Sequence, residues 1–161
     1  MEAAWPEPVE RVSTFLREAG AEARLEEFGE SPTAVDAAAA IGCDLDQIVK
    51  SLVLVCDGRS VVALVPGDRR FDTKKVAKAA DSASARIATA DEVETATGFP
   101  PGGVAPFPLP KVGAVYLDRL LLRHARVWAG AGSERHMVGL APTELMRLAR
   151  AQTADLVQAE R

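Results

Sequence analysis

The strongest structural constraint in the sequence is a hairpin signal in its first half. Residues 51–56 are nearly all apolar, the dipeptide Asp57-Gly58 follows, and a second apolar run covers residues 61–65 before Pro66-Gly67. Asp-Gly between two such runs is typical of a two-residue turn in which both residues adopt positive φ. We therefore predict a pair of antiparallel strands, around which the rest of the chain must build a sheet.

The other segments alternate irregularly between helix and strand signals. Helical periodicity, caps and first-turn prolines predict helices near residues 8–19, 33–41, 73–80, 90–97 and 142–152. Strand-like runs occupy residues 22–28, 112–117, 126–129 and 136–140. Residues 99–110 hold five prolines and must form a loop, while residues 154–161 are expected to extend the last helix or form a tail. This order predicts an α+β fold with a largely antiparallel or mixed sheet, in a single domain over residues 1–161.

Charge, apolar run length and cysteine count exclude several classes of protein. The net charge is −4, from 19 basic and 23 acidic residues, which argues against non-specific coating of nucleic acid. Residues 59–86 nevertheless carry an excess of basic residues, which fits either a local phosphate contact or a solvated helix face. The apolar runs are too short for a membrane span, and residues 1–10 do not resemble a signal peptide, so we expect a cytoplasmic protein. Two cysteines and two histidines give no metal-ligand spacing, and no metal or cofactor is expected.

Three features could carry chemistry, although the sequence has no serine nucleophile elbow, Walker loop or dinucleotide fingerprint. Lys50 enters an apolar strand, so its ammonium must reach solvent or meet a fixed anion. The glycine- and proline-rich residues 97–106 could hold backbone N–H donors rigidly toward a ligand. Residues 130–133, Gly-Ala-Gly-Ser, are predicted to be a turn between two strands. His124 and His136 are expected to be partly exposed structural histidines rather than general bases.

Taken together, four ordered motifs resemble the YbaK family, the aminoacyl-tRNA editing domains related to the insertion domain of bacterial prolyl-tRNA synthetase. The motifs are the segment 48–52 around Lys50, the loop 97–106, Tyr116-Leu117-Asp118, and residues 130–133. The resemblance covers about residues 31–150. It implies a compact domain with a mixed, partly barrel-like sheet flanked by helices, and hydrolysis of the ester that links a wrong amino acid to tRNA.

The resemblance also implies roles for particular residues. Lys50 would hold the phosphate of the terminal adenosine, Gly103 would position the aminoacyl ester by its backbone, and Asp118 matches a recurring aspartate; these three are the predicted catalytic residues. The predicted substrate-binding residues are Ser51, Gly98, Phe99, Gly102, Val104, Pro106, Gly130, Gly132 and Ser133. In such a site the protein positions the substrate, and water or the substrate's own groups perform the attack.

The implied function is trans-editing of a mischarged tRNA, recognised by its 3′ end, with an aminoacyl-tRNA synthetase as a candidate further partner. The substrate indicated is tRNA for proline that carries a small wrong amino acid such as Cys or Ala. The alternative is a non-catalytic module of the same fold that binds tRNA or a synthetase. A third possibility is a nucleotide-phosphate binder built on residues 97–106, called here the glycine loop. The sequence leaves the amino acid, the tRNA, the oligomeric state and the role of residues 1–30 open.

Overall fold

A computed structural model describes residues 5–160 and contains five helices and eight strands in that range. The helices are α1 (Glu7–Glu18), α2 (Ala34–Ile41), α3 (Thr73–Ala79), α4 (Ala90–Thr97) and α5 (Pro142–Ala149). The strands are β1 (Ala23–Glu27), β2 (Ile48–Cys56), β3 (Arg59–Pro66), β4 (Ala85–Ile87), β5 (Ala114–Asp118), β6 (Val127–Ser133), β7 (His136–Leu140) and β8 (Gln152–Ala154). Short 3₁₀ turns cover Leu45–Gln47, Pro101–Gly103 and Arg119–Arg123. The predicted α+β class is confirmed.

All eight strands join one mixed sheet in the order β1-β7-β6-β2-β3-β5-β8, with β4 paired to β2 off this path. The predicted hairpin forms its centre, since β2 and β3 pair antiparallel along their whole length. Asp57 and Gly58 adopt φ of 49° and 83°, as the two-residue turn requires. Parallel pairs of β2 with β6, β3 with β5 and β5 with β8 make the sheet mixed.

Helix boundaries follow the capping chemistry in the sequence. Thr89 and Glu92 form the predicted capping box at the start of α4, and Gly98 ends that helix in the left-handed region at φ 73°. The side chain of Asp72 accepts hydrogen bonds from the N–H groups of Lys74 and Lys75 at the start of α3. These local signals place the basic helix and the glycine loop at defined points along the chain.

The helices and loops bury the two faces of the sheet against separate apolar clusters. On one face, Val49 and Val53 of β2 pack with Phe99 and Phe107 of the proline-rich loop and with α1 and α5. On the other face, Leu54 of β2 packs with α3 and with residues of the C-terminal segment. Because side chains alternate along a strand, Lys50 lies on this second face of β2 and Ser51 on the first.

Two predictions about local structure are wrong. Residues 130–133 belong to β6, and the tight turn consists of Glu134 and Arg135 instead; a bulge between Gly130 and Ser133 separates them from regular pairing. The C-terminal segment is neither a helix extension nor a loose tail, because β8 pairs with β5 and the side chains of Leu156 and Val157 are buried. A strand of three residues has too little pattern of its own to be recognised without its partner.

Across residues 5–160, none of the helices combines the length and apolarity that crossing a membrane demands. The same range holds no group of three or more His, Cys, Asp or Glu side chains suited to a metal ion. The prediction that residues 1–10 are not a signal peptide falls partly on residues 1–4, which lie outside the described part of the chain.

Candidate functional site

One edge of β2 carries a gap in the sheet at the predicted lysine motif. Strand β6 pairs with β2 only at Ile48 and Val49, and β4 pairs with it from Leu54 onward. Because β3 occupies the opposite edge throughout, residues 50–53 have no strand beside them on this edge in the described chain. Lys50 and Ser51 therefore lie where the central strand is open to other groups.

The glycine loop occupies the β6 side of this gap. Directly after its last pairing with β2, β6 reaches Gly130, where an added Cβ would lie 3.0 Å from the carbonyl oxygen of Val104. Gly103 packs still closer, since a Cβ there would lie 2.5 Å from the backbone nitrogen of Ser133. Only glycine allows two backbones to approach in this way. The loop of residues 97–106 and residues 130–133 thus meet on the β6 side of the gap. Lys50 and Ser51 lie on its β2 side.

The Lys50 side chain lines a cleft of about 570 Å³, called here the basic cleft. Its Nζ donates a hydrogen bond to the backbone carbonyl of Arg69 and, in the described chain, forms no ion pair with a carboxylate. The walls are Lys50, Leu52, Arg70, Phe71, Asp72, Thr73, Lys74 and Gln158. Three cationic side chains and one carboxylate leave this cleft with a net positive charge.

Burial lowers the pKa of Lys50, an effect that the charge of Arg70 reinforces and that of Asp68 opposes. A partly desolvated ammonium with only a carbonyl partner gains from an anion more than a fully solvated one would. The basic cleft is therefore suited to a phosphate group.

A second cleft, of about 360 Å³, lies over the bulge of β6 and is called here the acidic cleft. Its walls are Pro6, Glu27, Glu30, Pro100, Gly102, Gly103, Ser133, Glu134, Arg135 and His136. The N-terminal segment forms part of it: Trp5 packs edge-on to His136 with ring centroids 5.3 Å apart, and the backbone at Pro8 lies against Gly132. Residues before the region of resemblance thus help to build this cleft.

Ser133 and His136 form the polar floor of the acidic cleft. Ser133 Oγ lies 2.6 Å from His136 Nδ1 and accepts a hydrogen bond from the N–H of Arg135. His136 Nε2 lies 3.5 Å from Glu27 Oε2 and has no hydrogen-bond partner in the described chain. Burial lowers the pKa of His136, with Glu27 acting in the opposite direction and Arg135 in the same one.

Ser51, the second of the predicted residues on β2, has a buried hydroxyl that finds no hydrogen-bond partner within residues 5–160. A buried hydroxyl without a partner costs free energy, and native structures keep such groups mainly where another task requires them. Its position in the gap beside Lys50 fits the predicted contact with substrate.

Other predicted substrate contacts lie behind the clefts rather than in them. Phe99 is fully buried, with the guanidinium of Arg11 4.9 Å above its ring, and Gly98 serves as the cap of α4. Val104 and Pro106 are also buried. The stiffness expected of this loop therefore comes from core packing, and Pro100, Gly102 and Gly103 are the loop residues that line the acidic cleft. Direct contact of Gly98, Phe99, Val104 and Pro106 with substrate stays a prediction. The burial of Phe99, Val104 and Pro106 argues against it.

Asp118 has a structural position at the end of β5. It is fully buried, and its two carboxylate oxygens accept hydrogen bonds from the N–H groups of Leu120 and Leu156. The second bond anchors the C-terminal segment, whose Gln158 lines the basic cleft. The catalytic role predicted for Asp118 stays a prediction, while these contacts show a buried anchor.

Sequence reasoning missed two contributors to the clefts. His136 is 1% exposed instead of partly exposed, because Trp5 and β1 cover it. The available signal is the spacing of His136 from Ser133 across a two-residue turn, but the sequence predicts the turn at residues 130–133 instead. Gln158 could not be assigned without knowing that the C-terminal segment returns to the sheet.

Comparison with known proteins agrees with this geometry. The aminoacyl-tRNA editing domain family matches residues 29–148. A relative in Enterococcus faecalis, named "Putative Cys-tRNA(Pro)/Cys-tRNA(Cys) deacylase EbsC", is 29% identical over 129 residues, 80% of this chain and 79% of its own. A proline–tRNA ligase of Nitratidesulfovibrio vulgaris is 37% identical over 86 residues, which cover 53% of this chain and 15% of the ligase.

A solved structure gives the same fold. It is described as a crystal structure of "a putative trans-editing enzyme for prolyl tRNA synthetase", and it superposes with a TM-score of 0.90 at 35% identity. The match covers 97% of this chain and 100% of that one. The family match and the shared α+β fold thus define the class of this chain as an editing domain. This chain belongs to the aminoacyl-tRNA editing domain family.

Proposed function

We propose that this protein is a trans-editing aminoacyl-tRNA deacylase, which hydrolyses the ester of a tRNA carrying the wrong amino acid. The observation that carries the proposal is the basic cleft of Lys50 beside a gap that the glycine loop closes. The substrate that fits best is tRNA for proline bearing a small residue such as Cys or Ala. The names of the relatives, which combine deacylase and prolyl-tRNA synthetase, support this choice.

Lys50 is assigned the phosphate of the terminal adenosine. A 3′ end is anionic, and the cations of Lys50, Arg70 and Lys74 line the basic cleft. Gly102 and Gly103 are assigned the ester, because they expose backbone in a cleft without any side chain of their own. The N–H of Gly103 already donates to the carbonyl of Pro100, 2.9 Å away. The oxyanion that forms as the ester is attacked is therefore assigned to the N–H of Gly102.

Positioning without a protein nucleophile is sufficient for this reaction. An aminoacyl ester is already activated, so holding it and a water molecule in a reactive geometry removes a large share of the barrier. Editing is needed because a synthetase pocket distinguishes residues that differ by one methylene by only about 1–3 kcal/mol. A second hydrolytic site removes the errors that remain.

The decisive experiment measures deacylation of tRNA for proline charged with Cys, Ala, Ser or Pro by the purified protein and by the Lys50→Ala variant. We expect rapid hydrolysis of one mischarged species and a loss of about 100-fold or more in the variant, since a fixed cation no longer holds the phosphate. A Lys111→Ala variant, which changes a lysine outside both clefts, should behave as wild type.

The fold of Lys50→Ala is checked by its melting temperature, which should change little because Lys50 is only half-buried at a strand edge. A large loss of melting temperature would show that Lys50 has a structural role instead. Absence of hydrolysis for every charged tRNA, with tRNA or a synthetase still bound, would overturn the proposal in favour of a non-catalytic binding module.

A further inference from the structure

The acidic cleft has the opposite charge to the basic cleft, and the phosphate-binding role proposed for Lys50 does not explain it. Three carboxylates line it, those of Glu27, Glu30 and Glu134, against the single guanidinium of Arg135. A phosphate or a free carboxylate would be repelled here. Carboxylates on a surface can be merely solvated, whereas a buried polar group at the floor of the cleft needs a partner.

That buried group is His136, whose hydrogen-bonding state follows from its two neighbours. Its Nε2 faces a carboxylate oxygen of Glu27 at 3.5 Å, and a carboxylate can only accept. The proton of a neutral imidazole therefore belongs on Nε2, which leaves Nδ1 as an acceptor. Ser133 Oγ, 2.6 Å away, must then donate its proton to Nδ1.

This arrangement fixes what Ser133 can offer to a ligand. Its only proton is directed at His136, and one lone pair accepts from the N–H of Arg135. The lone pair that remains is an acceptor, as are the carboxylates around it. A site in which Ser133 and three carboxylates are acceptors, against the single guanidinium of Arg135, favours a ligand that brings several donors and a positive charge.

We propose that the acidic cleft binds the α-ammonium group of the aminoacyl moiety, with Ser133 as its direct acceptor and His136 as the residue that holds Ser133 in this orientation. Gly103, which packs on the backbone of Ser133, would then lie beside the ester carbonyl next to the ammonium. The substrate thus has phosphate at its basic end and ammonium at its acidic end. This inference rests on the proposed function and deepens it by assigning the amino-acid end of the same substrate.

The test compares the aminoacyl-tRNA that is hydrolysed fastest with its 2-hydroxyacyl counterpart, in which a hydroxyl replaces the ammonium at nearly the same volume. Both rates are divided by the spontaneous rates of hydrolysis. We expect kcat/KM of the wild type to favour the ammonium substrate by about 10- to 100-fold, the range of a hydrogen bond to a charged group.

Ser133→Ala should remove most of this preference, because the ammonium substrate loses a hydrogen bond from a charged group while the hydroxy substrate loses only a neutral one. Glu27→Gln should reduce the preference by a few-fold, because its carboxylate is half exposed and screened. Glu26→Gln alters the next residue of β1, which does not line the cleft, and is the matched control. An undiminished preference in Ser133→Ala would overturn the assignment.

His136 is tested by a pair of variants that separates orientation from folding. Asparagine can place its amide oxygen near the position of Nδ1 and keep an acceptor for Ser133, whereas leucine cannot. We expect His136→Asn to retain a larger share of the ammonium preference than His136→Leu at matched melting temperature. Equal preference in both variants would show that His136 only fills space.

A binding measurement distinguishes failure of this inference from failure of the proposed function. The probes are the 3′-amide of 3′-amino-3′-deoxyadenosine with alanine and the same amide with 2-hydroxypropionate, neither of which is an ester. Tighter binding of the alanyl probe that depends on Ser133, with no tRNA hydrolysed, would overturn the proposed function and leave the ammonium site standing. Hydrolysis of a mischarged tRNA, with equal binding of both probes, would overturn the ammonium site and leave the proposed function standing.

Discussion

The two clefts differ in charge and in the way the chain builds them. The basic cleft joins a strand of the central hairpin to the basic helix α3 and the C-terminal segment, and three cations line it. The acidic cleft joins the N-terminal segment, the glycine loop and the β6–β7 turn, and three carboxylates line it. The two clefts share no lining residue. Under the proposed function, the basic cleft would take the phosphate of the 3′ end of an aminoacyl-tRNA, and the acidic cleft would take its ammonium.

The largest effect should come from filling the contact between the glycine loop and β6 at the acidic cleft. Gly103→Val places a branched side chain where a Cβ already lies 2.5 Å from backbone, so the loop or β6 must move by an ångström or more. A displacement of that size can reduce turnover by about 100-fold. The rate of deacylation under single-turnover conditions measures this loss.

Gly113→Ala is the matched control for this change. A Cβ at Gly113 would meet its nearest neighbour, the carbonyl oxygen of Ser60, at 3.4 Å, which is an ordinary contact. That variant should keep its activity. Full activity in Gly103→Val would mean that the loop does not need its close approach to Ser133, and the ester would have to be positioned by other groups.

The next effect concerns the wall of the basic cleft alone. Asp118→Ala leaves the N–H groups of Leu120 and Leu156 without their buried acceptor, which should lower the free energy of unfolding by about 3 kcal/mol. For a chain of this length the melting temperature should fall by about 9 °C. Calorimetry measures the loss, and kcat below the new transition should stay near wild type. Unchanged stability with kcat lost would instead establish Asp118 as a catalytic residue.

Sequence reasoning predicted the basic cleft better than the acidic one for a physical reason. The hairpin, the cap at Asp72 and the lysine position depend on residues close together in the chain, whose turn and capping chemistry is local. Residues 130–133 look like a turn because they are small. They are small instead because α1 and the glycine loop press on β6 from elsewhere in the sequence. The burial of His136 and the return of β8 depend in the same way on distant partners, which no local pattern encodes.

A smaller effect should distinguish the clefts by their response to salt. Arg70→Ala and Lys74→Ala each remove a cation from the basic cleft, so KM for tRNA should rise about 3-fold at low salt with kcat unchanged. Each change should also lower the slope of log KM against log salt by about 0.7, the value for one contact to a single-stranded phosphate. Lys78→Ala, on the same helix but outside the cleft, is the control. Equal slopes in all three variants would show that this face of α3 is only solvated.

The smallest effect is a pH dependence of stability that belongs to the acidic cleft. Burial lowers the pKa of His136 below 6.5, with Arg135 adding to the shift and Glu27 opposing it. Below pH 6.5 the unfolded chain therefore takes up a proton before the folded chain does, and stability falls as pH falls toward the lowered pKa. His136→Asn has no such group, so its melting temperature should approach that of wild type between pH 7.5 and about pH 5. His124→Asn is the control that tests whether this approach of the two melting temperatures is specific to His136. A difference between wild type and His136→Asn that widens as pH falls would mean that folding raises the pKa of His136 and favours its charged form. Ser133 would then lose the acceptor that orients it toward an ammonium.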